Sequence, residues 1–200
     1  MTTDTPTAAA ASATALAPAL RRLYFVRFGF AVVWAAVLIA ISAAGAAPDI
    51  LLGVLVVVYP LVDAAAVLWQ LRAGGAEDAG AGAASPHLAE WLNVVMSVVA
   101  AIALGIAAAS SVGAVLAVWG VWAVLSGVTQ LVTAVLRRRS GGQVPLILSG
   151  GISVLAGTGF LVQGLGGAAS ATGIGGYALV GGVFFLIAAI RLSVLLRRAR

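Results

Sequence analysis

The sequence predicts an all-α integral membrane protein whose six transmembrane helices form three repeated helical hairpins. Three observations predict it. Apolar residues make up 62% of the chain against 8% charged, with a mean hydropathy of +1.15, so no polar surface can wrap them and a bilayer must act as solvent. Uncharged or nearly uncharged apolar runs recur six times, at about residues 26–45, 51–71, 91–109, 113–136, 144–163 and 174–194, and a run of roughly 20 helical residues crosses the ~30 Å hydrocarbon layer. Finally, with six spans all eleven basic residues fall on one side.

The clearest run is Val112 to Arg139, VGAVLAVWGVWAVLSGVTQLVTAVLRRR, in which no charge occurs before three consecutive arginines. Arginines there stay among the headgroups on the cytoplasmic side. Arg21, Arg22 and Arg27 precede or open span one, Arg72 follows span two, Arg137, Arg138 and Arg139 follow span four, and Arg191, Arg197, Arg198 and Arg200 end span six. By the positive-inside rule that side is the cytoplasm, so both termini are expected to be cytoplasmic. Because these arginines form no continuous basic face with interleaved aromatics, nucleic acid is not an expected partner.

In chain order, residues 1–22 are rich in Ala, Thr, Ser and Pro and are expected to be a disordered cytoplasmic tail, leaving 23–200 as the six-span domain. RRLYFVRFGF and the small-residue string AAGAAPD also have the parts of a twin-arginine export signal. The intervening apolar run is full length for a span, and further spans follow, which favours retention. Pro48 and Asp49 make the turn between spans one and two, and RAGGAEDAGAGAASPHL, from Arg72 to Leu88, reads as a mobile cytoplasmic loop. Ser110 and Ser111 turn span three into span four. Ser140 to Gln143 link spans four and five, Pro145 suits the first turn of span five, and a Gly/Ala/Ser/Thr loop leads into span six.

Three phrases repeat, each running to an arginine: DAAAVLWQLR from Asp63, GVTQLVTAVL from Gly127 and GVFFLIAAIR from Gly182. A repeated supersecondary unit stacks neighbour on neighbour. Small residues four apart are the expected contact stripes, because lipid gives helices little hydrophobic reason to associate and close backbone approach must supply packing. Ala101, Gly105 and Ala109, Ala123 and Gly127, Ser149, Ser153 and Gly157, and Ala178 and Gly182 are such stripes.

WAVLSGVTQLVTAVLRRR (Trp122 to Arg139), LILSGGISVLAG (Leu146 to Gly157) and YALVGGVFFLIAAIRL (Tyr177 to Leu192) give the chain a pattern that resembles the HdeD-like acid-resistance membrane proteins. The first hairpin matches less closely, with Asp63 where the other repeats carry glycine. The resemblance implies a six-span inner-membrane protein with a role in acid or envelope stress, and it supplies no catalytic residues.

Chemistry-bearing residues are few. There is no cysteine and a single histidine, His87, so no metal cluster and no thiol nucleophile is expected. The glycines from Gly164 to Gly176 follow no strand and precede no lysine, and they read as an external turn rather than a phosphate cradle. No catalytic or cofactor-binding residue is expected, and the chain is not expected to be an enzyme. Trp69, Glu90 and Trp91 suit the interface; Trp119 and Trp122 are expected to pack against a neighbouring helix, with ligand stacking as the alternative. Arg27 and Arg191 are expected to snorkel to headgroups rather than form a buried ion pair.

Asp63 stands apart, as the acid deepest inside a span. An ionised carboxylate there costs about 2.5 to 3.5 kcal/mol, which favours a protonated Asp63 donating to Gln130 or Thr129. Pro60, one turn earlier, leaves the Val56 carbonyl without its helical donor. A functional, proton-responsive Asp63 is the other reading. The functions left open are a stress-response membrane component, a small proton or solute transporter or channel drawing on Asp63, Thr129, Gln130 and Asn93, and a scaffold. The expected partner is the lipid bilayer, with a homo-oligomer or membrane protein partner left open.

Overall fold

The computed structural model describes residues 8–44, 50–74, 86–136 and 144–198. Their regular elements are six α-helices: α1 Ala8–Ala43, α2 Ile50–Gly74, α3 Pro86–Ala108, α4 Val112–Leu136, α5 Val144–Leu165 and α6 Thr172–Arg198. Each contains a stretch long and apolar enough to cross a membrane. The chain is thus a multi-pass membrane protein, and the apolar side chains left on its outside, such as Val99, Ile106, Leu155 and Leu165, are a lipid-facing surface.

The N-terminal expectation needs correction. Residues 8–22, expected to be a disordered tail, are the first part of α1, with Pro18 inside the helix. Alanine has the highest intrinsic helix propensity, and a segment continuous with a membrane helix needs no new nucleus. Residues 1–7, the turn at Pro48 and Asp49, most of the Arg72 to Leu88 loop, and the link from Arg137 to Gln143 lie outside the described residues.

Two helix ends explain themselves. Ser111 Oγ accepts a hydrogen bond from the Ala114 amide at 3.1 Å, capping α4. At the end of α5, Gly167 takes a positive φ of 74°, and the Ala168 amide reaches back to the Gln163 carbonyl at 3.0 Å while the Gly167 amide meets that of Gly164 at 3.1 Å. This Schellman turn requires a left-handed residue, and glycine supplies it without steric strain.

Close packing does not follow the expected hairpins. The most intimate pairs are α4 with α5, α1 with α6 and α2 with α3, whereas α1 with α2 and α5 with α6 touch sparingly. The reason is a set of small residues seven apart. A Cβ on Gly113 would stand 2.9 Å from the Gly164 carbonyl oxygen, one on Gly120 2.5 Å from that of Gly157, and one on Gly127 2.7 Å from that of Gly150. As one helix ascends by sevens the other descends by sevens, so α4 and α5 are antiparallel with backbones in contact. A seven-residue period keeps one seam facing its partner along two helices that wind left-handedly about each other. In the other pairs Gly53 abuts Ala108, and Gly182 abuts Ala31 and Phe28.

The six helices enclose one main core, in which Trp34, Leu38, Val56, Leu104, Leu116, Trp119 and Ile174 are almost fully buried. It fills the half of the bundle away from the described arginines. The other half has a smaller packed cluster, Ala64, Val67 and Val94, beside a hollow.

Candidate functional site

The hollow is a cup of about 580 Å³ lined by residues from all six helices, a volume within the range of small-molecule sites. Tyr24 and Arg27 come from the early part of the apolar span of α1, Pro18–Ala43, Asp63 and Gln70 from the later part of α2, Glu90 and Asn93 from the start of α3, Ser126 and Gln130 from the later part of α4, Ser149 and Ser153 from the start of α5, and Phe184 and Arg191 from the later part of α6. Antiparallel succession brings these segments to one end of the bundle, where Arg21, Arg22, Arg72, Arg197 and Arg198 also lie.

Its polar centre is Asp63. Arg27 Nη2 forms an ion pair with Asp63 Oδ1, while Asp63 Oδ2 accepts hydrogen bonds from Asn93 Nδ2 at 2.9 Å and Ser97 Oγ at 3.2 Å. Three donors from two other helices therefore converge on one carboxylate. The two charged side chains are only 14% and 18% exposed, so each offsets the desolvation of the other. The Arg27 guanidinium carbon also lies 4.0 Å from the centre of the Phe185 ring, a cation–π contact that ties α6 into the network.

This geometry overturns two expectations. Arg27 does not snorkel: it turns inward, because α1 presents that face to α2 and an anion waits there. Asp63, expected to donate to Gln130 or Thr129, accepts in the bonds it makes, from Arg27, Asn93 and Ser97, because guanidinium can only donate. Gln130 and Thr129 share the cup with Asp63, but Thr129 Oγ1 donates to the Leu125 carbonyl of its own helix at 2.9 Å.

The cup has an aromatic floor. Trp34 stacks on Trp119 with ring centres 5.6 Å apart, Tyr59 contacts both, and Trp122 meets Trp119 edge to face at 5.2 Å. Trp34 Nε1 is anchored on the Leu55 carbonyl at 2.8 Å, next to the Val56 carbonyl that Pro60, inside α2, leaves without a helical donor. Three other polar groups are buried without a hydrogen-bond partner among the described residues: Trp119 Nε1, Trp122 Nε1 and Ser126 Oγ. They are three and four residues apart and share one face of α4, and Trp122 and Ser126 line the cup.

The remaining predicted residues fall as follows. Ala123 is buried; Gly127 and Gly157 lie in the α4–α5 seam, Gly182 in that of α1 and α6, and Gly105 makes an ordinary contact with Val57 of α2. Arg72, Arg197 and Arg198 are exposed, and Arg137 to Arg139 lie outside the described residues. Sequence reasoning missed Ser97, Trp34, Tyr59 and the hydrogen bond of Ser153 with Tyr177 at 3.0 Å. No acidic, histidine or cysteine cluster suited to a metal ion occurs among the described residues.

Comparison with known proteins finds no matching family model, no similar curated protein and no similar solved structure.

Proposed function

We propose that this chain is a small membrane carrier that takes a molecule into the cup and couples its movement to the Asp63 network. The observation that supports the reading is the convergence of Arg27, Asn93 and Ser97 on Asp63 at the wall of a cavity of about 580 Å³. A partly buried intramembrane carboxylate held by three donors is the kind of group that membrane proteins keep for ion or proton pathways. The cup lies in the arginine-bearing half of the bundle, which the positive-inside rule assigns to the cytoplasmic side. Passage onward needs the floor to part, and the sparsely packed seams between α1 and α2 and between α5 and α6 are where rigid pairs can shift. The resemblance to HdeD-like proteins supplies the setting, an acid or envelope stress response in a bacterial-type inner membrane. No catalytic role is proposed.

The test is proton uptake by liposomes carrying the pure protein, followed with an entrapped pH dye under an imposed pH gradient. The expected result is uptake above that of empty liposomes, lost in Asp63→Asn. Uptake equal to that of empty liposomes overturns the carrier reading.

A further inference from the structure

One seam of the bundle bears on what enters the cup. The packed contacts between α5 and α6 gather around Tyr177, whose hydroxyl bonds to Ser153 and whose ring meets Phe160 edge to face at 5.9 Å, and around Gly173, which abuts Phe160. Toward the arginine-bearing end the two helices contribute cup lining instead. Ile152 of α5 and Val180 and Ile187 of α6 line the cup and are also 37%, 42% and 42% exposed. On the outside, Leu148 and Leu155 of α5 and Val183 and Ile190 of α6 are exposed as well, so the lining shared by α5 and α6 is flanked by lipid-facing apolar side chains at a seam where the two helices touch sparingly.

We infer that the cup is loaded from the bilayer between α5 and α6, and that its occupant is a phosphate-headed membrane lipid. Its chains rest between Ile152, Val180 and Ile187, and its head lies inside the cup. Two features carry the choice of head. Trp122 Nε1 is a buried donor, its residue 7% exposed, with no partner among the described residues, so it calls for an acceptor. Arg191 lines the cup, and a guanidinium group matches a phosphate bidentately. Glu90 also lines the cup, and the Arg27–Asp63 pair is internally balanced, so Arg191 rather than Arg27 is the cation offered to the head. This inference rests on the cup described above and names the class of molecule it takes.

The chain's indoles provide the probe. In a Trp69→Phe/Trp91→Phe background the remaining indoles are Trp34, Trp119 and Trp122, all at the cup or its floor. This protein is reconstituted into phosphatidylglycerol vesicles whose acyl chains carry bromine, a contact quencher, and compared with the same protein in unbrominated vesicles. The blocking variant is Gly181→Leu, because a Cβ there meets only Tyr59 Oη at 3.9 Å and the added side chain extends into the cup. Ile187→Phe, which enlarges a side chain of that shared lining, serves if Gly181→Leu fails to fold. Bromine should lower the emission of the unblocked protein, and the blocking variant should restore it. Absence of quenching, or equal quenching in the blocking variant, overturns lipid loading. Asp63-dependent proton uptake that persists in that case leaves an aqueous solute as the occupant, whereas quenching without uptake leaves a lipid binder that is not a carrier.

Discussion

Gly120 and Gly157 face each other across α4 and α5 so closely that a Cβ on Gly120 would stand 2.5 Å from the Gly157 carbonyl oxygen and 2.6 Å from the Leu161 amide nitrogen. Both obstacles are backbone, which cannot rotate aside. Gly120→Ala should therefore push the helices apart and cost about 1 to 3 kcal/mol, read as a lowered unfolding temperature in detergent. Gly151, on α5 with nothing within 4 Å of its Cβ position, is the control: alanine there should be neutral or stabilise by about 0.5 to 1 kcal/mol through helix propensity. Equal effects at the two positions would show that close approach is not what holds this pair.

The spans were legible because a long apolar run has few other solutions in a chain this hydrophobic, and Asp63 was legible because a charge inside such a run is conspicuous. The pairing of helices was not. Sequence order suggests that α1 packs on α2, yet α1 finds Gly175 and Gly182 of α6, a complementarity visible only when both faces are known. Glycines seven apart were on view as Gly113, Gly120 and Gly127, but abundant alanine and glycine filled the four-residue spacing with competing matches. Arg27 illustrates the same limit. An arginine near a span end snorkels if its face meets lipid and pairs if its face meets Asp63, and only the orientation of α1 decides.

The Arg27–Asp63 pair should behave as a unit. Removing one partner leaves a charge in a site only 14% to 18% exposed, and breaking a buried pair costs about 3 to 5 kcal/mol. Arg27→Met and Asp63→Asn should each destabilise, whereas the double variant should lose less than the sum of the two. A double-mutant cycle on unfolding in detergent measures the difference. Additive losses would mean that the two charges do not sense each other.

Orientation follows from the arginines. A reporter fused after Ala168, in the turn between α5 and α6, should be exported, and one fused after Arg198 should remain cytoplasmic, since cytoplasmic segments next to spans carry the arginine excess. The reverse pattern would turn the half of the bundle that holds the cup to the outside.

The last prediction concerns the floor. Trp119 is fully buried between Trp34, Tyr59 and Trp122, so Trp119→Ala should cost about 3 to 5 kcal/mol, the range for removing a large aromatic from a packed core. The wider space should not become a pore. Beyond the indole the bundle is closed again by Leu38, Leu104, Leu116 and Ile174, each nearly or fully inaccessible, and these aliphatic side chains offer no hydrogen-bond partners to a file of water. Liposomes carrying Trp119→Ala should therefore show the thermal destabilisation without an added, Asp63-independent proton leak. A leak that survives in Trp119→Ala/Asp63→Asn would mean that the aromatic layer is the whole barrier and that the aliphatic layer behind it does not seal.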